Sequence, residues 1–320
     1  MITTAITPAL VSLPLGKKVK EYEVTKLLGE GTFGSVFAIR DPSGREYAMK
    51  VEKASIKTSL LKLELHVMTT LSSRKAKHFP DLIDKGRLED FNYIVMKYLG
   101  RSLQDMKKTG PDGHLSLGCT ISVSIQCLEA LEECHWAGFL HRDVKPGNFA
   151  VGRPEMNELR LVYIFDFGMV RKYVDAKNVM LPPRKKAPFR GTPRYAALAS
   201  HDQKEHGRQA DVESWFYMLI DFTNAKLPWK TKTEIKEVGE TKRKARKEPI
   251  LTDFLTGCPV DEYKVILKHI DSLTFFDEPD YGLIYKTLRD IMETRGLRHF
   301  PYDWETVEAK SKSIKASNKK

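Results

Sequence analysis

Gly29-Glu30-Gly31-Thr32-Phe33-Gly34-Ser35-Val36 follows the pattern G-x-G-x-x-G-x-V and runs directly into Phe37-Ala38-Ile39. Glycines at this spacing let backbone N–H groups approach phosphates with no Cβ in the way. The pattern alone fits two architectures. A dinucleotide-binding turn opens into a helix. Here the residues that follow are β-branched, apolar and aromatic, which predicts a strand, so the loop joins two strands, Tyr22–Leu28 and Ser35–Arg40.

Working outward, Glu46–Val51 reads as a third strand and ends in Ala48-Met49-Lys50. Residues 57–71 have helical periodicity, with Leu61, Glu64, Leu65 and Met68 on one face. A carboxylate seldom interrupts an apolar stripe without a partner, and Lys50 is the natural one. Such a pair would hold the ammonium against the α- and β-phosphates of a nucleotide. Tyr93–Tyr98 is a further apolar strand. Beyond Gly100 the pattern turns helical, at 115–136, 211–222, 260–273 and 281–295, while the charged stretch 231–248 reads as an exposed helix or loop. A β-rich first third followed by a helical remainder is an α+β pattern with two lobes.

Two further motifs come in order. His141-Arg142-Asp143-Val144-Lys145-Pro146-Gly147-Asn148 fits H-R-D-x-x-x-x-N, and Asp166-Phe167-Gly168 follows. Phosphoryl transfer needs a carboxylate to accept the hydroxyl proton and oxygens to hold Mg²⁺ on the phosphates. Asp143 suits the first task, Asn148 and Asp166 the second, and Lys145 would balance charge on the transferred group.

Composition narrows the alternatives. The chain has 320 residues, 53 Lys+Arg and 42 Asp+Glu, for a net charge of +11. With 41% hydrophobic residues it is too apolar for a fully disordered protein. No run of about 18 apolar residues predicts membrane insertion. Cys119, Cys127, Cys134 and Cys258 form no CxxC pair, which argues against a zinc ribbon or a disulfide framework. Residues 171–194 carry a net +7 and residues 309–320 a net +5, leaving a near-neutral remainder. These two basic segments could serve a nucleic-acid or microtubule binder, but aromatics for base stacking are scarce there, only Tyr173 and Phe189, and no specific nucleic acid is expected. Residues 1–16 are expected to be a flexible extension and 306–320 a disordered basic tail.

Together these motifs resemble a eukaryotic protein kinase over residues 17–305. The resemblance implies the bilobal kinase fold, with a β-rich N-lobe over 17–99 and a mainly helical C-lobe over 100–305. Phe189-Arg190-Gly191-Thr192-Pro193-Arg194-Tyr195-Ala196 stands where most kinases carry Ala-Pro-Glu, and it resembles the casein kinase I superfamily. Leu99-Gly100-Arg101-Ser102-Leu103, Leu227-Pro228-Trp229 and Pro279-Asp280-Tyr281 agree with that superfamily. Asn148–Arg153, Leu181–Arg184, Trp215–Leu219 and Glu293–Gly296 look similar to tau-tubulin kinases.

That resemblance implies a serine/threonine kinase using ATP and Mg²⁺, or Mn²⁺. Residues Leu28 to Val36, Ala48 and Ala150 would enclose the nucleotide. Met96 would be the gatekeeper, and backbone groups of Lys97 and Leu99 would meet the adenine edge. His141 and Arg142 would be structural, and Asp211 would cap the central helix and hold the catalytic-loop backbone. Arg194 with Lys244, and with Lys242 as a further candidate, would form an anion site favouring acidic or phosphorylated protein substrates. The superfamily's Ser-Ile-Asn is replaced by Ala197-Leu198-Ala199, which loses side-chain anchors for the substrate platform. No Ser or Thr lies between Gly168 and Thr192, so activity without phosphorylation there is expected. A monomer is expected, in the cytoplasm, with the nucleus or cytoskeleton as further locations. The rival reading is a catalytically silent pseudokinase scaffold, which would normally have lost Lys50, Asp143 or Asp166.

Overall fold

The structure is a computed structural model that describes residues 10–31 and 34–305. The chain divides into two compact units. One runs up to Leu99 and adds Phe165–Gly168; the other takes Gly100–Ile164 and everything from Met169.

The first unit is an antiparallel six-stranded sheet in the order β1-β2-β3-β4-β6-β5: β1 (Lys18–Val19), β2 (Tyr22–Gly31), β3 (Gly34–Arg40), β4 (Glu46–Lys53), β5 (Leu82–Arg87) and β6 (Phe91–Lys97). Strand alternation sorts the side chains. Phe37, Ile39, Met49, Val51, Tyr93 and Val95 build a core on one face. Val36, Ala48, Lys50 and Met96 fall on the other, because Val36 pairs with Lys50 and Ala48 with Met96. The core face is closed by Val11 and Leu13, both buried. Residues 10–16 are therefore held against the sheet rather than forming a flexible extension; burying two apolar side chains stabilises that placement. Residues 1–9 and the expected tail at 306–320 lie outside the described residues.

Helix α1 (Leu60–Ser73) is set by β4. Ser59 caps its N-terminus by accepting from the Lys62 N–H at 3.1 Å. Glu52, 2% exposed, accepts from the N–H groups of Leu60 (2.9 Å) and Leu61 (3.2 Å) and from the Ser59 hydroxyl. A carboxylate at a helix N-terminus meets both its unpaired N–H groups and its positive dipole end. Glu52 and Lys50 share a face of β4, so anchoring α1 on Glu52 brings Glu64, one turn further on, to Lys50.

The second unit packs α3 (Leu117–Trp136) against α5 (Arg208–Asn224), with α8 (Val260–Ser272) and α9 (Tyr281–Thr294) around them. From Ala210 to Asn224, α5 is buried all round, as a central core helix must be. Short elements carry the loops: α2 (Leu103–Lys107), α4 (Leu198–His201), α6 (Ile235–Lys244), α7 (Ile250–Phe254), and the ladders β7 (Phe139–Leu140) with β10 (Arg171–Lys172) and β8 (Phe149–Val151) with β9 (Val162–Ile164). The charged stretch 231–248 contains α6, and it is not simply exposed: Val238 and Lys242 are fully buried. The described chain ends with Tyr302 and Trp304 buried in this unit, Trp304 donating to the Leu159 carbonyl. No described helix is long and apolar enough to cross a membrane.

Candidate active site

Each unit holds a cluster of its own. In the first, β2 and β3 pair down to Gly31 opposite Gly34, which frames the glycine loop; its Thr32 and Phe33 lie outside the described residues. Gly34 has φ +153°, and a Cβ there would fall 2.1 Å from the Val51 carbonyl oxygen, so no other residue fits. At Gly29 and Gly31 a Cβ would meet only open space. The first case is steric necessity within the sheet; the other two leave backbone uncovered for a phosphate to approach.

Lys50 donates to Glu64 at 2.6 Å and to Asp166 at 3.1 Å. Burial alone would lower the Lys50 pKa, but the two carboxylates outweigh it and hold the ammonium above its ordinary range. Glu64 is 2% exposed, so the break in the apolar stripe of α1 is an internal ion pair. Asp166 takes a left-handed backbone (φ +65°) and keeps a half-exposed side chain, while the next residue, Phe167, is buried and stacks on Phe79. Strain of this kind in a non-glycine residue persists only where its surroundings enforce it. Of the implied adenine contacts, Ala48 and Met96 are buried, Leu28 and Val36 half-buried, and Leu99 closes this unit. The Lys97 N–H is committed to the Asp81 carbonyl at 2.9 Å. Ala150 lies in the second unit, buried in β8 and bridged to Ser102.

In the second unit Asp143 is held from several sides. Its Oδ1 accepts from the Thr192 N–H and hydroxyl, both at 2.9 Å. Its Oδ2 accepts from Lys145 Nζ at 2.6 Å and from Asn148 Nδ2 at 3.2 Å. Asn148 also donates to the Asp143 carbonyl at 2.8 Å, and Lys145 to the Thr192 hydroxyl at 3.1 Å. The amide of Asn148 is thus turned so that its NH₂ faces the protein, leaving the carbonyl end for a hard cation. Thr192 was not singled out from sequence as a site residue; its partner lies 49 positions away.

The loop backbone hangs on Asp211, which accepts from the His141 N–H at 2.7 Å, the Arg142 N–H at 2.8 Å and His135 Nε2 at 3.0 Å. Burial opposes its charge, but the hydrogen bond from His135 and those from the loop hold its carboxyl below the usual range. Asp211 does not cap α5: the cap position is Gly207 and Asp211 is the fourth helical residue. The helix has to start earlier for the carboxylate to reach the loop rather than its own N–H groups. These bonds fix Arg142 in a left-handed conformation, φ +66°. His141 is fully buried, with its Nδ1 toward the Asp143 N–H.

Arg142 donates to the carbonyls of Met169 (2.7 Å) and Val170 (3.4 Å), and its pKa is pushed down to about 10 by burial and then by Arg190. In the basic segment, Arg171 (2.9 Å) and Arg184 both pair with the buried carboxylate of Glu205. Lys172, Lys177, Lys185, Lys186 and Arg190 are exposed. Arg194 is half-buried and donates to the Lys230 carbonyl at 3.0 Å, and Trp229 Nε1 donates back to the Arg194 carbonyl at 2.7 Å. Lys244 is exposed on α6. Lys242 does not fit the expected anion site: its amine is fully buried and bound to the carbonyls of Pro193 (2.8 Å) and Ala196 (2.6 Å).

A family model described as protein kinase domain matches residues 22–273. A Dictyostelium discoideum protein named as a serine/threonine-protein kinase is 35% identical over 298 residues, 92% of this chain and 59% of its own. The serine/threonine-protein kinase spe-6 of Caenorhabditis elegans is 34% identical over 297 residues, 90% of this chain and 76% of its own. A further Caenorhabditis elegans relative, whose name places it with casein kinase I, is 29% identical over 294 residues, 90% of this chain and 84% of its own. The chain therefore spans little more than half the length of the Dictyostelium relative.

Proposed function

The chain belongs to the protein kinase domain family, among serine/threonine protein kinases, and from that premise we propose that it transfers the γ-phosphoryl of ATP to Ser and Thr hydroxyls of acidic or phosphorylated protein substrates. The observation that carries the catalytic part is the Asp143 carboxylate, fixed by Thr192, Lys145 and Asn148. A carboxylate so placed accepts the proton of an incoming hydroxyl and aims its oxygen. Lys145 then lies beside the transferred group as a counter-charge. Lys50, kept cationic by Glu64, binds the phosphates of ATP, and the bare backbone at Gly29 and Gly31 covers them.

In each unit one side-chain oxygen suits Mg²⁺, that of Asp166 in the first and that of Asn148 in the second; the ion needs few protein ligands and, when bound, would neutralise phosphate charge. None of the groups whose loss marks a silent scaffold is missing.

Substrate preference rests on charge. Glu205 neutralises part of the basic segment through Arg171 and Arg184, but five exposed cations remain, with Arg194 and Lys244 beyond them. A positive surface attracts acidic peptides and raises their encounter rate. We place the chain with tau-tubulin-kinase-like members of the casein kinase I superfamily. The mutual hydrogen bonds between Arg194 and the Trp229–Lys230 segment tie the G-T-x-R-Y and L-P-W motifs into one unit. Paired peptides differing only in Asp against Lys near the acceptor test the preference. The acidic peptide should have the lower KM, the gap should shrink as salt rises, and Lys244→Glu should narrow it. A preference for the basic peptide would refute the acidic preference.

A further inference from the structure

We propose that Lys242 is a positioning residue that holds the substrate platform, residues 193–196, from beneath through its carbonyls. The inference rests on the kinase reading and concerns how that enzyme shapes its peptide site. An ammonium has three N–H donors. Lys242 Nζ has three acceptors around it: the Pro193 carbonyl at 2.8 Å, the Ala196 carbonyl at 2.6 Å and His201 Nε2 at 3.3 Å. His201 Nδ1 faces the Ile235 carbonyl at 2.9 Å, so Nδ1 carries the hydrogen and Nε2 presents its lone pair to the lysine. The rings of Tyr217 and Trp229 lie 4.7 and 5.3 Å from the amine, within cation–π range.

The nearby carboxylate, Glu213, is engaged elsewhere. It pairs with Arg246 at 2.7 Å and accepts from the Leu198 N–H at 2.9 Å and the Tyr217 hydroxyl at 2.6 Å. Burial pushes the pKa of Lys242 well down, and what favours a charge on this fully buried amine is the set of three acceptors and two aromatic faces around it. It has no donor left for a substrate anion.

This arrangement answers the loss of side-chain anchors at Ala197-Leu198-Ala199. The segment is held instead at its backbone: Lys242 on the carbonyls of Pro193 and Ala196, Trp229 on that of Arg194, and Glu213 on the N–H of Leu198. Gly239 permits it, since a Cβ there would stand 3.0 Å from the His201 ring, and α6 could not approach α4 as closely.

The test compares Lys242→Met with wild type on an acidic and a neutral peptide of otherwise equal sequence, alongside hydrogen exchange. A lost pair of charge-assisted hydrogen bonds should raise KM about tenfold for both peptides alike. The KM for ATP should stay unchanged, and exchange at the Tyr195 and Ala196 amides should quicken while the α5 amides keep their protection. A KM rise confined to the acidic peptide would make Lys242 a reader of substrate charge and overturn the proposal. So would unchanged peptide KM values, or exchange that quickens throughout the unit. His201→Leu keeps the lysine and removes one acceptor, which covers the case of a Lys242→Met chain that does not fold. It should raise both KM values about threefold, an amount in keeping with one weaker hydrogen bond, and no change or an acid-selective change would count against the proposal. If the wild type turns over neither peptide, the kinase reading fails, and the exchange comparison still decides the role of Lys242.

Discussion

Thr192 reaches Asp143 with both its N–H and its hydroxyl, and the hydroxyl also accepts from Lys145, so one side chain sets the spacing of the two charged groups that we propose meet the transferring phosphoryl. Thr192→Ala should lower kcat about tenfold, the loss of one half-buried hydrogen-bonding hydroxyl, with the KM for ATP little changed and Thr192→Ser recovering most of the rate. Equal rates for the Ala and Ser variants would show that the hydroxyl does not matter. Gly34 offers a purely steric prediction. With φ +153° and a Cβ position 2.1 Å from the Val51 oxygen, Gly34→Ala should destabilise the protein by at least about 1–3 kcal/mol, read from the urea midpoint. An unchanged midpoint would contradict the pairing of β3 with β4 described here. His201 gives a pH dependence. Burial first, and Lys242 next, push its pKa down to about 4, and burial also lowers that of His206. The unfolded chain takes up these protons near 6.5 and the folded chain does not, so the unfolded state binds more protons between about 6.5 and 4. The contribution to stability is full above about 6.5 and is lost as pH falls toward 4. Urea midpoints at pH 7.5, 6 and 5 should fall in that order, and more shallowly in His201→Leu.

At the scale of elements, what could be read in advance was what is local in sequence. The strand after the glycine loop, the stripe broken by Glu64 and the two acidic motifs all show their chemistry within a few residues. The start of α5 was not legible, because Asp211 resembles any acidic residue near a helix start until the loop it holds, 69 and 70 residues earlier, is placed beside it. Strand β5 escaped notice because Leu-Ile-Asp-Lys-Gly-Arg has little β-propensity and needs none of its own at the edge of a sheet. Residues 10–16 are not legible as a packed segment because Pro14 interrupts a short apolar run, and the surface that receives Val11 and Leu13 is made by strands elsewhere. Leu13→Ala should therefore cost about 2–4 kcal/mol, as for a buried core leucine, measured by denaturant unfolding. A change below a few tenths would restore the flexible reading.

At the scale of the molecule, net charge misled where it was counted without partners. The +7 segment contains two arginines that serve Glu205, a residue outside it, and Lys242 looked like a surface cation because its neighbours on α6 are charged. Burial and pairing turn formal charge into structural bonds, and only the remaining exposed cations are available to a substrate. The same arrangement bears on regulation: Arg142 is bonded to backbone carbonyls and Arg171 and Arg184 to a carboxylate, so the basic cluster has internal partners without a phosphate. The most direct measurement follows from this. The chain is produced in a host without eukaryotic kinases and supplied with MgATP and a Ser/Thr peptide library, next to Asp143→Asn made the same way. The wild type should phosphorylate peptides without prior activation, and the variant should be slower by about 10²- to 10⁴-fold, the usual worth of a positioned general base. Equal turnover by the two proteins would contradict the assignment of Asp143 and with it the account of this chain as an active kinase.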